Sequence, residues 1–289
     1  MIIGRVTDAH NWLGNQLFQY ANARAISLRA GLPLCLHSDG DRRYRLDAYG
    51  VPARRARDED LDRFLTPLHR YRRVREMVGR VNGCLPFRWR RVIVEKSMRF
   101  DARLLTIARP VYVSGFRQSE RYFEDHADTI RRELTLRAPV PECYRAVLSQ
   151  IVGSESVAVS VRRGDYAGIP NTQGICSVDY YKRALALISA RIPHRRLFVF
   201  SDDIPWCRQH MDDLGATFVE SVTPFEPEQD LRLLSHCRHF VLANSTFAWW
   251  GAWLSTHADK VVIGPSKWMQ DAEPCADVLP ARWLRVRGD

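Results

Sequence analysis

Residues 157–168 read VAVSVRRGDYAG, an apolar run that ends on Arg162 and Arg163 and is followed at once by Gly164, Asp165 and Tyr166. A short, valine-rich run of this kind reads as a buried strand. The glycine behind the two guanidinium groups marks a sharp turn at its end. The same arrangement recurs downstream. LFVF (197–200) runs into Ser201, Asp202 and Asp203, and HFVLA (239–243) runs into NSTFAWWG, from Asn244 to Gly251. ATFVE (216–220) and KVVIG (260–264) read as further strands, with helical stretches such as SVDYYKRALALISAR (177–191) between them. Short hydrophobic strands alternating with helices imply a parallel sheet joined by right-handed crossovers. In open parallel sheets ligands bind just beyond the carboxyl ends of the strands. Three polar strand ends on one edge therefore suggest a single ligand site.

The amino-terminal half opens in the same style. A strand over residues 2–6 leads through a loop into LGNQLFQYANARAISLRAG, where Leu17, Ala21, Ala25 and Leu28 recur at helical spacing and Gly31 and Pro33 supply the stop. That places Gly14, Asn15 and Gln16 in the first turn of a helix. A strand over 34–36 follows. From 42 to 91 the sequence is charged and rich in turns, with RRARDED (54–60) and HRYRRVREMVGR (69–80) as its extremes, and reads as solvated helix faces. RVIVEK (91–96) and PVYVSGF (110–116) are strands, and the proline-punctuated RAPVPE (137–142) reads as a junction. Two domains are expected, over 1–145 and 146–289.

Composition sets the outer limits. At 289 residues and 46% hydrophobic, the chain can bury a large core. Forty-three Lys and Arg against 33 Asp and Glu give a formal charge of +10, and only Lys96, Lys182, Lys260 and Lys267 are lysines. Such a surface suits phosphate, nucleic acid or an anionic membrane face. The seven cysteines are scattered without C-x-x-C or zinc spacing, and read as reduced core thiols of a cytosolic protein. The opening MIIGRVTDAH has too short an apolar run for a signal peptide, and no run of about 18 apolar residues appears.

Each polar cluster admits two readings. Arg162 and Arg163 offer planar forks that match phosphate oxygens, with Asp165 as a partner that holds an arginine; the same residues could form only a salt-bridged turn. Ser245 and Thr246 stand where a helix begins, so hydroxyls and free N–H groups could take a phosphate, or Asn244 or Ser245 could simply cap the helix. Trp249, Trp250 and Trp253 read as core. Asp230 could accept the N1 and N2 hydrogens of guanine or sit as a favourable charge near a helix N-terminus. The pairs Asp202–Asp203 and Asp212–Asp213 and the DED of 58–60 lack the context of a metal site. No G-x-x-x-x-G-K-[ST], G-x-G-x-x-G or G-x-S-x-G occurs.

Taken together, HNWLGNQLFQYA (10–21), VAVSVRRGDY (157–166), CSVDYYKRAL (176–185), LFVFSDDIPWC (197–207), DLRLLSHCRHFVLANSTFAWWGAWLS (230–255) and VVIGPSKW (261–268) resemble the motif series of glycosyltransferase family eleven, the α-1,2-fucosyltransferases. The resemblance spans nearly the whole chain and is weakest over 40–90. It implies a GT-B-like α/β fold of two Rossmann-like lobes with mostly parallel sheets. It also implies GDP-β-L-fucose as donor substrate, a galactose-type acceptor, inversion at the fucose carbon, and neither metal nor cofactor.

By that resemblance Arg162 matches the arginine associated with the diphosphate, with Arg163, Asp165 and Tyr166 beside it and Asp202 on the neighbouring strand end. Asp230, Asn244, Ser245, Thr246 and Phe247 match the stretch that meets guanine and the phosphates. Gly14, Asn15 and Gln16 match a segment that faces the reaction centre, and Asp8 and His10 are the candidates for the base that takes the acceptor proton. Two departures stand out. Ser160 occupies a position where the family usually has histidine, and Asn11–Trp12 precede LGNQ in place of a glycine-containing pair. The expected acceptor is a galactoside on a lipid-linked, O-antigen-like precursor at the cytoplasmic membrane face, with the cationic surface aiding contact with anionic lipid. Another GDP-sugar transferase is the alternative. An arginine-rich nucleic-acid-binding protein ranks behind both, because the aromatic residues fall mainly in predicted core elements.

Overall fold

The valine-rich runs pair into two sheets in the computed structural model, which describes residues 1–6, 13–38, 44–65, 77, 80–164, 175–220, 226–270 and 277–288. The chain divides into two units, Met1–Arg137 and Ala138–Asp289. The first holds β1 (Ile2–Arg5), α1 (Leu13–Ala30), β2 (Leu34–His37), β3 (Arg54–Arg55), α2 (Asp58–Asp62), β4 (Val92–Val94), β5 (Val111–Ser114) and α3 (Ala127–Glu133). Its strands lie in the order β3-β2-β1-β5-β4, all pairings parallel. The second unit holds α4 (Glu142–Val152), β6 (Glu155–Val161), α5 (Val178–Arg191), β7 (Arg195–Ser201), α6 (Ile204–Met211), β8 (Thr217–Val219), α7 (Pro227–Ser235), β9 (His239–Val241), α8 (Thr246–Leu254), β10 (Val262–Pro265) and β11 (Leu284–Val286). Its order is β11-β10-β9-β6-β7-β8, again parallel throughout.

The expected boundary after residue 145 is corrected to 137/138. A cut at 145 would split α4, whose buried Tyr144 donates its hydroxyl to the Asp230 carboxylate at 2.8 Å within the second unit. The charged stretch of 42–91 is not uniformly a solvated face either. Arg54–Arg55 form edge strand β3 against Cys35 and Leu36. Asp60, in the DED expected to be exposed, is buried and takes both guanidinium nitrogens of Arg54 at 2.6 and 2.9 Å. Arg54 and the Arg57 amide hold that carboxyl down at about 2. Its contribution to stability is therefore present above the ordinary carboxylate pKa and lost as pH falls towards 2. HRYRRVREMVGR lies largely outside the described residues. Of the cysteines expected in the core, Cys35, Cys207 and Cys237 are buried, Cys84 and Cys143 are exposed, and Cys275 lies outside the described residues.

The core of the second unit forms where α5 lays Tyr180, Tyr181, Ala184 and Ile188 over Val157, Val159 and Val161 of β6. Trp249, Trp250 and Trp253 of α8 are 0–1% exposed, as expected of core aromatics. The Trp249 indole donates to the Val278 carbonyl at 2.7 Å, which satisfies its one polar atom. Beside them Gly251 marks where α8 meets α7. A Cβ built on it would lie 2.2 Å from Leu234 Cδ2 and 2.5 Å from Leu234 Cγ. Leu234 is fully buried and cannot swing aside. Gly251→Ala gains about 1 kcal/mol of helix propensity, but overpacking of this kind costs about 1–3 kcal/mol, and the close contact with Cγ puts it at the upper end. The variant is expected to melt several degrees below the wild type by calorimetry; an unchanged or raised melting temperature would contradict this packing.

Candidate active site

In the second sheet the chain starts at β6, moves outward through β7 and β8, and then returns to place β9, β10 and β11 on the other side. Strand order therefore reverses between β6 and β9, and a doubly wound sheet opens its ligand crevice at the carboxyl ends flanking such a reversal. Arg162, Arg163 and Gly164 leave β6 there, and Asn244 and Ser245 leave β9.

Register explains what meets what. β6 pairs with β7 at a constant offset, from Glu155 with Arg195 to Val161 with Ser201. One step further along the same register brings Arg162 beside Asp202, and the next brings Arg163 beside Asp203. The side chains follow it: Arg162 Nε lies 3.3 Å from Asp202 Oδ2, and Arg163 Nε 3.5 Å from Asp203 Oδ2. The Asp202 carboxylate also accepts the backbone N–H of Arg163 at 2.9 Å and of Gly164 at 3.0 Å. A Cβ on Gly164 would sit 2.9 Å from Asp202 Oδ2, so a larger residue here would displace the carboxylate from the two amides it accepts. Among the described residues, the carboxylate that holds Arg162 is therefore Asp202, forty residues away in sequence. Asp202 and Asp203 each stand against one of the two arginines.

Asp203 also caps α6, accepting from the Trp206 amide at 3.1 Å. The Trp206 ring lies under the Arg163 guanidinium at 4.0 Å and stacks on His210 at 4.2 Å. Arg163 is thus fixed by a carboxylate and an aromatic face together. The side chain of Arg162 stays 30% exposed, bent onto Asp202 but accessible to an anion.

The carbonyls at the crevice are braced from α5. Tyr181 donates to the Ser160 carbonyl at 3.0 Å, and Tyr180 donates to the Leu242 carbonyl at 2.5 Å. Burial raises the pKa of both phenols well above the ordinary tyrosine value, so they remain donors. Ser177 caps α5 by accepting from Tyr180 N and donates to the Gly288 carbonyl at 2.5 Å. CSVDYYKRAL therefore holds the two strand ends in place, a role that its sequence alone did not disclose. Ser160 is itself buried on β6.

Asn244 faces inward. Its amide donates to the Trp268 carbonyl at 3.2 Å, and its oxygen lies 3.7 Å from the Cys176 thiol, whose pKa burial pushes up to about 12. Ser245 is the N-cap residue of α8, yet its side chain makes no capping bond. Of the two readings, simple capping by the Ser245 hydroxyl is therefore not what the structure shows. The first-turn N–H groups of α8, at Thr246 and Phe247, point out of the helix end beside the β6–β9 reversal with no partner inside the helix. Asp230 lies in the first turn of α7 with one carboxylate oxygen taken by Tyr144.

In the first unit Gly14, Asn15 and Gln16 begin α1, as expected. Asn15 Oδ1 accepts from Gln118 Nε2 at 3.1 Å, and Gln16 Oε1 accepts from the Arg45 amide at 2.9 Å. Asp8, His10, Asp165 and Tyr166 lie outside the described residues, as do Asn11 and Trp12.

Comparison with known proteins agrees with this arrangement. The family model described as Glycosyl transferase family 11 matches residues 94–284. An alpha-1,2-colitosyltransferase of Escherichia coli is 29% identical, over 95% of this chain and 96% of its own length. The human galactoside alpha-(1,2)-fucosyltransferase 1 is 28% identical over 61% of this chain and 53% of its own. The crystal structure of the NodZ alpha-1,6-fucosyltransferase soaked with GDP-fucose superposes with a TM-score of 0.51, at 15% identity, over 88% of this chain and 91% of its own, and so shares the two-lobed GT-B fold. With the family match covering well over half of the chain, including nearly all of the second unit, the chain belongs to glycosyl transferase family 11 and is a glycosyltransferase.

Proposed function

We propose that this enzyme transfers L-fucose from GDP-β-L-fucose to the 2-hydroxyl of a galactose-type residue, with inversion and without a metal. The observation that carries the reading is Arg162, held on Asp202 at the β6–β9 reversal beside the first turn of α8. As the bond from fucose to the diphosphate breaks, negative charge grows on the leaving oxygen and oxocarbenium character on the sugar. A guanidinium and helix-end N–H groups fixed in advance stabilise that charge with little reorganisation. They supply electrostatically what a divalent ion supplies in other transferases. Asp230 is read as the partner of guanine. Arg163, Asp165 and Tyr166 are read as lining the donor. Asp8 or His10 is read as the base that removes the acceptor proton late in the step. The likeness to the E. coli colitosyltransferase over almost the full chain favours a second reading, in which the donor carries a colitosyl group instead.

Purified enzyme given GDP-fucose or GDP-colitose with β-galactosides in excess EDTA is expected to form an α-1,2-linked product, identified by linkage analysis. Arg162→Ala is expected to lose transfer by about 10²–10³-fold or more with an unchanged melting temperature. Neither hydrolysis nor transfer with any acceptor would sink the proposal.

The acceptor is further read as lipid-linked, at an anionic membrane face. Supporting this, residues 77–94 contain Arg80, Arg88, Arg90 and Arg91 and no acidic residue. Met77, Val81, Leu85 and Trp89, four residues apart, are 58, 65, 41 and 60% exposed. A cleft of about 580 Å³ beside them is lined by Arg63, Arg88, Arg91, Arg109, Phe64 and Trp89. Exposed aliphatic and indole side chains among arginines suit the headgroup region of an anionic bilayer. Among the described residues no helix is long and apolar enough to cross a membrane. The enzyme should therefore sediment with vesicles containing phosphatidylglycerol and release as salt rises, and Arg88→Gln/Trp89→Ser should weaken both. Equal binding to neutral vesicles, or none to either, would refute the docking face.

A further inference from the structure

In the first sheet the chain leaves β1 for β2 and β3 on one side and later fills the other side with β5 and β4. Strand order reverses between β1 and β5, so the carboxyl end of β5 lies at the crevice position of this lobe. The residues that follow β5 are the most constrained of the described chain. Gly115 has φ of 133° and Arg117 has φ of 48°, the one positive value at a non-glycine residue among those described. Side-chain-bearing residues enter that region at a cost, and such conformations persist only where their surroundings over-determine them.

Here the surroundings do so from α1 and from the chain in and just after β4. Glu95, just past β4, accepts the amides of Phe116 at 2.7 Å and Arg117 at 2.8 Å. Asn22 of α1 donates to the carbonyls of Phe116 at 3.2 Å and Arg117 at 3.1 Å. The Arg117 guanidinium is buried and donates back to the Ile93 carbonyl at 3.2 Å. A Cβ on Gly115 would lie 2.3 Å from Glu95 Cβ, so the bend admits glycine alone.

What this bend presents is Gln118. Its Nε2 donates to Asn15 Oδ1 at 3.1 Å, while its Oε1 is buried and has no hydrogen-bond partner. A buried amide oxygen without a partner costs about 1–3 kcal/mol, and native proteins seldom retain one without a use. We infer that Gln118 Oε1 accepts a hydrogen bond from a pyranose hydroxyl of a glycosyl substrate, and that the strained 115–117 bend and Asn15 exist to fix that oxygen. The inference rests on the glycosyl-transfer reading above and adds to it a sugar-binding residue in the first lobe.

The test compares the wild type with Gln118→Met, close in size but without the acceptor, and with Gln118→Glu, which keeps it. For the methionine variant kcat/KM should fall about 10-fold or more, the range in which a site built for a substrate hydroxyl rejects its loss. The fall should appear in the KM of either donor or acceptor, which identifies the sugar concerned. Both variants lose the Nε2 bond to Asn15 alike, so any lowering of the melting temperature that they share belongs to that bond, while the glutamate variant, which keeps an acceptor, should retain clearly more of the rate than the methionine variant. Deoxy analogues of that sugar should erase the difference between wild type and methionine variant. A wild type that transfers normally while Gln118→Met stays within twofold for both substrates overturns the inference. If the wild type transfers nothing, the earlier reading falls. Saturation-transfer NMR on a free galactoside and on the fucose ring of GDP-fucose then decides alone, with signals unaltered by Gln118→Met for both sugars as the overturning result.

Discussion

The crevice of the second lobe depends on one carboxylate. Asp202 receives two consecutive backbone amides from the chain leaving β6 and stands against the Arg162 guanidinium. Exposed ion pairs typically contribute only about 0–1 kcal/mol, so the value of this contact is positional. With Asp202 in place, two successive amides fix the start of the turn after β6, and Gly164 passes close to the carboxylate that holds them. Arg162 then stands beside the reversal point with its side chain 30% exposed.

Around that contact the remaining polar groups face the protein and leave the crevice to the arginine and the helix end. Tyr180 and Tyr181 tie off carbonyls of the two flanking strand ends, Asn244 bonds to Trp268, and Asp203 divides itself between the cap of α6 and Arg163. Behind α8 three tryptophans fill the interior, and the Gly251–Leu234 contact sets how closely α8 lies on α7. Packing thus fixes a helix N-terminus and a guanidinium at the place where the proposed function puts the diphosphate. The first lobe shows the same economy in a different form, with Glu95, Asn22 and Arg117 holding a bend whose outcome is the orientation of one amide.

Much of this was legible in the sequence because strands and helices write their periods locally. The valine-rich runs of β6, β7, β9 and β10 and the start of α8 fall where periodicity places them. β3 and β11 were invisible: they are edge strands of two and three residues, carry arginines, and are defined by what they pair with. Register was equally hidden. Asp165, the nearest acid in sequence, lies outside the described residues, and the parallel pairing of β6 with β7 is what brings Asp202, forty residues on, to Arg162. Likewise Asp60 looked exposed within its charged run until its burial against Arg54 was seen. The family motifs pointed to the strand ends of Arg162, Asp202 and Asn244, but the roles of Tyr180, Tyr181 and Trp206 emerge only from distances across the sheet.

Titration calorimetry of GDP into the wild type, Arg162→Ala and Asp202→Ala tests the central claim most directly, since it reads the crevice without acceptor or chemistry. If Asp202 positions the arginine for the diphosphate, both variants lose about tenfold or more in affinity, at least about 1.4 kcal/mol, while melting close to the wild type. The loss should shrink as added salt screens the guanidinium. GDP binding by Asp202→Ala as tight as by the wild type would contradict the account.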